Sequence, residues 1–356
     1  MKVFFLVHSF DATERGGVLK VISELTENLI HHIDDVNVIS LGKVNNFAFD
    51  LNDNVGFISL DMPDYKTTFY NGYMKIKWFF NAFNALKKII ISNSEAIWVT
   101  SSPPLTLLLG LFKYRYDLKV IGCDHISTLY SKGGYVQKIR NSILKKIDIM
   151  VALTPQDRDF YIQNNIRSVY IPNGVNIDLD KIDNARKNII FVGRFHDVKQ
   201  PLKMVDLFVN SKFSRGYFRL KMYGHGELKD KLISHVNSSG FSHIIDIITD
   251  ETNPNKIYKD AFALVMTSKV EGMPMVLLEA ISKNIPCLAV DCPYGPANII
   301  KDNVNGFLIN GDYADFEKKI LLCEKLINTD FRDSISEFSS DNVALNWLKL
   351  LDQVEK

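Results

Sequence analysis

Glu271 and Glu279 lie eight residues apart in the stretch Glu271-Gly272-Met273-Pro274-Met275-Val276-Leu277-Leu278-Glu279-Ala280. Wound as a helix, the residues around Glu279 are apolar almost all round, so that helix should be buried. A carboxylate taken out of water is costly unless something pairs with it. Glu271 falls in the loop that feeds the helix, with Pro274 expected at the first helical position. The two acids can therefore face one crevice, where hydroxyl groups of a bound ligand would satisfy them. The competing reading holds them in ordinary ion pairs. Two cations complement the acids. Arg194 and Lys199 stand in Gly193-Arg194-Phe195-His196-Asp197-Val198-Lys199-Gln200-Pro201, directly after an apolar run. A guanidinium and an ammonium there suit a diphosphate, which carries about two negative charges. A basic surface loop is the plainer alternative, but Pro201 opens a helix and fixes the loop at the strand end.

Positioning these groups requires strands. Residues 188–193, 218–222, 244–248, 263–268, 287–291 and 307–309 are short apolar runs that read as buried parallel strands. Ligands of an open α/β sheet bind beyond the carboxyl ends of its strands, and the acids and cations fall there. Tyr223-Gly224-His225-Gly226 ends another of these runs, and Gly224 would let backbone approach a base or phosphate, or would simply make a turn. The first half repeats the plan. Strands at 2–10, 36–41, 55–60, 96–101, 118–123 and 147–153 alternate with helical periods, which implies a parallel sheet covered by helices on both faces. Gly16 and Gly17 sit between the first strand and a helix, an arrangement that offers backbone N–H groups to an anion or makes a tight turn. The G-x-G-x-x-G fingerprint is absent, which argues against a dehydrogenase. His125 follows Cys123-Asp124 at a strand end, with Ser127, Thr128 and Tyr130 in the polar loop beyond it. A turn-rich Ile171-Pro172-Asn173-Gly174-Val175 marks the boundary, giving domains 1–171 and 172–340 and a terminal helix 341–356.

Glu271 and Glu279 with Gly272, Pro274 and Ala280 between and after them resemble the glutamate-x7-glutamate signature of retaining glycosyltransferases of family 4. Gly193-Arg194 through Pro201 is similar to that family's G-R-x4-K-x-P element, and Pro172-Asn173-Gly174-Val175 to its P-N-G-V connector. The resemblance covers the second domain well and the first sparsely. It implies a GT-B fold, two Rossmann-like doubly wound α/β domains facing across a cleft, whose closure assembles the site. It also implies transfer of a hexose from a nucleotide diphosphate sugar, with uridine the expected base, to a saccharide or lipid-linked acceptor. In that scheme Arg194, Lys199, Glu271 and His125 serve catalysis. Gly16, Gly17, Gly193, Gly224, Gly272, Met273, Met275, Val276 and Glu279 contact the donor, with Glu279 on the ribose. The acceptor attacks from the leaving-group face, so neither an enzyme nucleophile nor a metal cofactor is needed. The final helix crosses back to the first domain. A nucleotide-sugar epimerase and a non-catalytic nucleotide-sugar-binding subunit are the rivals.

Bulk properties fit this class. At 356 residues two domains are the default, and 46% hydrophobic with 23% charged residues is ordinary for a globular protein. A net charge of +1 gives no global attraction to nucleic acid or membrane. Cys123, Cys287, Cys292 and Cys323 form no C-x-x-C pair and read as reduced buried thiols, and the first residues do not form a signal peptide, so a cytoplasmic protein is expected. Asp157-Arg158-Asp159 and Asp178-Leu179-Asp180 have a metal-like spacing but fit a helix start and a linker. Residues 66–90 stand apart: Lys66, Lys75, Lys77, Lys87 and Lys88 are interleaved with Phe69, Tyr70, Tyr73, Trp78, Phe79, Phe80 and Phe83, with no acid. Most of the aromatics are expected to pack inward, while the lysines suit the surface of an anionic membrane. Residues 132–146 form a second basic segment that would line the same side.

Overall fold

Long apolar runs broken by polar turns give two parallel sheets. The computed structural model describes every residue except 15, 64–71, 126, 129–133, 178–185 and 217. Lys66, Phe69, Tyr70, Tyr130, Lys132, Asp178 and Asp180 thus lie outside the described residues. The first sheet contains β1 (Lys2–Val7), β2 (Asp35–Gly42), β3 (Gly56–Met62), β4 (Ile97–Thr100), β5 (Lys119–Cys123), β6 (Ile149–Ala152) and β7 (Ser168–Tyr170), in the order β3-β2-β1-β4-β5-β6-β7. The second contains β8 (Asn188–Val192), β9 (Arg219–Tyr223), β10 (Ile245–Ile248), β11 (Ala261–Met266), β12 (Cys287–Val290) and β13 (Gly306–Ile309), in the order β10-β9-β8-β11-β12-β13. Central strands such as β4 are buried along their whole length, which is why they are continuously apolar.

Several expected boundaries move. The first strand stops at Val7, not at residue 10, because the His8 carbonyl turns to the Gly42 N–H and the Phe10 N–H turns to the Ser40 hydroxyl. β11 spans Ala261–Met266, so Thr267 and Ser268 lie in the loop beyond it. Pro274 caps the helix Met275–Ser282 in an extended conformation instead of occupying its first turn. The three-residue β7 is too short and too polar at Ser168 to stand out in the sequence.

The chain divides into two compact units, Met1–Gly174 with Ser340–Lys356, and Val175–Ser339. The division falls three residues beyond residue 171, and the second unit ends one residue short of 340. Space is tight at Gly174, where the chain leaves the first unit: an added Cβ would lie 3.1 Å from the Ser340 backbone. The C-terminal helix Ser340–Glu355 belongs to the first unit: it packs against helix Gly17–Leu29, and Trp347 sets its edge on Phe5. On the opposite sheet face Phe4 stacks on Trp98 with ring centroids 4.6 Å apart.

Candidate active site

In each sheet the strand order reverses direction once, between β1 and β4 in the first and between β8 and β11 in the second. Such a switch point leaves a crevice at the carboxyl ends of the two strands, because the loops that follow them diverge. Lys199 follows β8 and Glu271 follows β11, so the second unit's switch point brings together two residues 72 positions apart.

Their meeting is built from the backbone outward. The Thr267 hydroxyl donates to the Lys199 and Gln200 carbonyls, both at 3.0 Å, and the Lys269 N–H donates to the Val198 carbonyl at 2.8 Å. Gln200 adopts a left-handed φ of 50° that turns the loop into helix Pro201–Asn210. On this support the Lys199 ammonium reaches Glu271 Oε1 at 2.5 Å, and the Ser268 hydroxyl donates to the same oxygen. Glu271 is only 8% exposed. The loop acid is thus held in an ion pair with the cation expected to serve a phosphate. The pair holds both groups at the crevice. Gly295, at φ +68°, lets the loop after β12 lie on this segment; a Cβ would come within 2.8 Å of the Gly272 carbonyl and 3.1 Å of Glu271 Cβ. In the same loop, burial and the nearby Glu271 carboxylate push the Cys292 thiol up to about 11, so it stays protonated and unreactive at neutral pH.

Glu279 is half-buried on the following helix, and a protein hydroxyl meets its desolvated carboxylate: Tyr258 donates to Oε2 at 2.7 Å. Tyr258 is fully enclosed, and burial together with the Glu279 charge holds its phenol firmly protonated. Arg194 is exposed just beyond β8. Met273, Met275 and Val276 are half-buried and pack against the second unit's core, with Gly272 also half-buried beside them. The glycine turn after β9 leaves no room for side chains at its glycines. A Cβ on Gly224, whose φ is +152°, would fall 2.0 Å from the Gly193 carbonyl, and one on Gly226 would fall 2.5 Å from the Phe195 carbonyl. These glycines let the loops after β8 and β9 pack on each other. Their close approach is to the protein's own backbone.

The first unit's switch point opens into a cavity of about 690 Å³ whose lining includes His8, Asp11, Thr13, Lys43, Ser102 and His125. Asp11 is buried and held well below the usual carboxylate range, first by the Thr13 hydroxyl at 2.7 Å and then by the Asn45 N–H at 2.7 Å. It therefore stays anionic and ties the loop after β1 to the loop after β2. The Ser102 hydroxyl and His8 Nε2 share a hydrogen bond of 2.7 Å across the β4 and β1 ends. His125 lies on this wall with Nε2 3.6 Å from Cys123 Sγ. Burial pushes its pKa down to about 4, so it presents a neutral imidazole. Gly16 caps helix Gly17–Leu29 in an extended conformation, and an added Cβ there would meet only the Glu14 carbonyl at 3.7 Å. Gly16 and Gly17 are exposed, and the cavity is lined instead by Val18 and Leu19 of the next turn.

Beneath that wall, Asp157 accepts from the Thr128 N–H and hydroxyl and from the Thr154 hydroxyl, which anchors the loop after β5. Arg140, part of the second basic segment in the sequence, turns inward and pairs with the buried Asp124, so it is unavailable to a membrane.

Residues 178–337 match the family model described as Glycosyl transferases group 1. That match spans almost all of the second unit, Val175–Ser339. Across its length the chain is similar to bacterial transferases. It is 25% identical over 314 residues to the amylovoran biosynthesis glycosyltransferase AmsD of Erwinia amylovora, covering 85% of this chain and 84% of that protein. It is 22% identical over 368 residues to an α-1,4-N-acetyl-D-galactosaminyltransferase of Campylobacter jejuni whose name specifies a diphospho-undecaprenol-linked saccharide, covering 100% and 99%. A crystal structure of an S. aureus TarM variant, bound to fondaparinux, α-GlcNAc-glycerol and UDP, superposes with a TM-score of 0.81 at 16% identity, covering 99% of this chain and all of that one. The two parallel α/β units have the GT-B fold.

Tyr258, Ser268 and Thr267 were not singled out by sequence, nor were His8, Asp11 and Ser102. For the first-unit group a signal existed: His8-Ser9 interrupts an apolar run with two polar residues at a strand's carboxyl end.

Proposed function

We propose that the protein is a retaining glycosyltransferase of family 4, transferring a hexose from a UDP-sugar to a hydroxyl of a saccharide or lipid-linked saccharide in bacterial surface-polysaccharide synthesis. The observation that carries this reading is the Lys199 ammonium and Glu271 carboxylate lying side by side at the switch point of the unit that matches the group 1 model. Support comes from the relatives that act in surface-polysaccharide and lipid-linked saccharide synthesis and from UDP bound in a structure of the same fold.

In this scheme the bond between the sugar's C1 and the diphosphate oxygen breaks while the acceptor oxygen bonds to C1 on the same face. The acceptor's proton passes to the departing phosphate. Lys199 and Arg194 stabilise the charge that develops on the diphosphate, an interaction strongest in the transition state. Glu271 steers Lys199 and orients the sugar with the backbone of Gly272–Met275. Glu279, aligned by Tyr258, binds the ribose hydroxyls. The acceptor enters the cavity of the first unit, where neutral His125 offers a hydrogen bond without adding charge. No metal is required, because Lys199 and Arg194 supply the positive charge.

Incubation with labelled UDP-sugars, with and without a lipid and saccharide extract, tests this reading. Donor should be consumed only when acceptor is present; conversion of donor alone would identify an epimerase instead. Calorimetry with UDP adds a residue-level test. Glu279→Ala should weaken UDP by at least about tenfold, the loss of hydrogen bonds to a charged group. Unchanged affinity would remove the ribose role.

A further inference from the structure

The helices Gly72–Ser92, Pro103–Arg115 and Tyr135–Leu144 connect β3 to β4, β4 to β5 and β5 to β6. All three connections cross the sheet in the same direction. Right-handed crossovers therefore lay the three helices on one face, opposite helix Gly17–Leu29. Their inward residues agree: Trp78, Leu86, Leu105, Phe112 and Leu144 share a core with Phe4 and Leu6. The Phe83 and Phe112 rings stack at 3.9 Å and lock the first two helices together.

The outward side of this layer has an unusual chemistry. These three helices, with Lys145 and Lys146 just after the third, carry ten basic residues and no acid, in a chain with 42 basic and 41 acidic residues. Lys113 pairs with Asp148 at 2.8 Å, Arg140 pairs with Asp124, and the Lys146 ammonium lies 6.0 Å from the Tyr114 ring centroid. Among the others stand large apolar side chains in solvent. Ile76 and Phe80 are each 69% exposed, Ile91 is 51% exposed, and Tyr114 on the neighbouring helix is 81% exposed. At about 100° per residue, Ile76, Phe80, Lys87 and Ile91 fall within about 60° of one another around the helix axis. Lys77 and Lys88 lie along one side of that stripe, about 40–60° beyond its edge, and both are exposed. An ordinary solvated face would carry lysines without the phenylalanine, and a protein-binding face would carry acids among the bases.

We propose that this face rests on an anionic lipid bilayer, with Ile76, Phe80 and Ile91 entering the headgroup boundary and Lys77, Lys87 and Lys88 meeting lipid phosphates. An exposed apolar stripe bordered by lysines is the pattern of interfacial helices. Among the described residues no helix is long and apolar enough to cross a membrane, so the contact is with the surface. The surface is carried by the first unit alone and stands independently of the donor assignment.

Flotation of the full chain with phosphatidylglycerol–phosphatidylcholine vesicles tests this, with phosphatidylcholine alone as control. The protein should float with the anionic vesicles and stay behind with the neutral ones. Lys87→Ala/Lys88→Ala should lower the partition coefficient about thirtyfold, about fivefold for each charge near an anionic surface. Phe80→Ser should lower it on the order of tenfold, through lost apolar burial. All these side chains are exposed, so the variants should unfold at the wild-type temperature. Absence of binding to anionic vesicles, binding that both variants leave unchanged, or self-association through Phe80 with no vesicle binding would each overturn the proposal.

Discussion

Replacing Lys199 with alanine should lower turnover about a hundredfold while leaving both parallel sheets intact, the scale on which removal of a positioned transition-state charge usually acts. Among the described residues the Lys199 ammonium pairs with Glu271 Oε1, and its side chain is about a third exposed. A cation held this way can shift to an incoming diphosphate, whereas a fully enclosed one could not. A purely structural ion pair makes a different forecast. Removing Lys199 leaves the buried Glu271 carboxylate, among the described residues, with the Ser268 hydroxyl and no cation. That alone should lower the melting temperature, and adding Glu271→Gln should restore it by removing the stranded charge. Turnover should not return, because the phosphate still lacks its ammonium. Steady-state kinetics with saturating donor, alongside thermal unfolding of both variants, separates the two roles. Wild-type turnover in Lys199→Ala would remove this residue from the mechanism.

Arg140→Leu should destabilise the first unit by about 3–5 kcal/mol, the usual cost of stranding a buried charge. Asp124 is almost completely enclosed, with its side chain 1% exposed, and Arg140 is the cation that meets it. The Thr106 hydroxyl at 2.8 Å and the Tyr161 hydroxyl at 3.3 Å complete its shell. Neither supplies positive charge. The variant's deficit should shrink in acid, since protonating Asp124 relieves the stranded charge, and should be full where the carboxyl is ionised. Replacing both partners, Arg140→Leu with Asp124→Leu, should recover most of the loss. Urea unfolding at neutral and mildly acidic pH measures all three. An Arg140→Leu protein as stable as wild type would mean that the pair contributes nothing to this unit.

The strands were legible because parallel strands buried on both faces have to be continuously apolar, and β4 and β11 are apolar almost throughout. Their ends were less so. Hydrophobicity extends through Phe10, which is buried although it lies outside the sheet, and this hid His8 and Asp11 at the cavity mouth. In the second unit, the types and spacing of Arg194, Lys199, Glu271 and Glu279 were enough to draw attention to them. Their partners were not legible. Tyr258 lies 21 residues before Glu279, and only the packing of the folded unit brings its hydroxyl to that carboxylate. At Gly224 a side chain would meet the Gly193 carbonyl, an obstruction that no local pattern reveals. Composition marked residues 66–90 as unusual, but only helical phase separates Trp78, which is buried, from Phe80, which is exposed.

The most direct test is where UDP binds. A crystal of the protein grown with UDP should show the diphosphate at the carboxyl ends of β8 and β11, within hydrogen-bonding distance of Lys199 Nζ, and the ribose hydroxyls on the Glu279 carboxylate. Nucleotide density away from that crevice, or a Lys199 still closed on Glu271 with no phosphate oxygen in reach, would contradict the account.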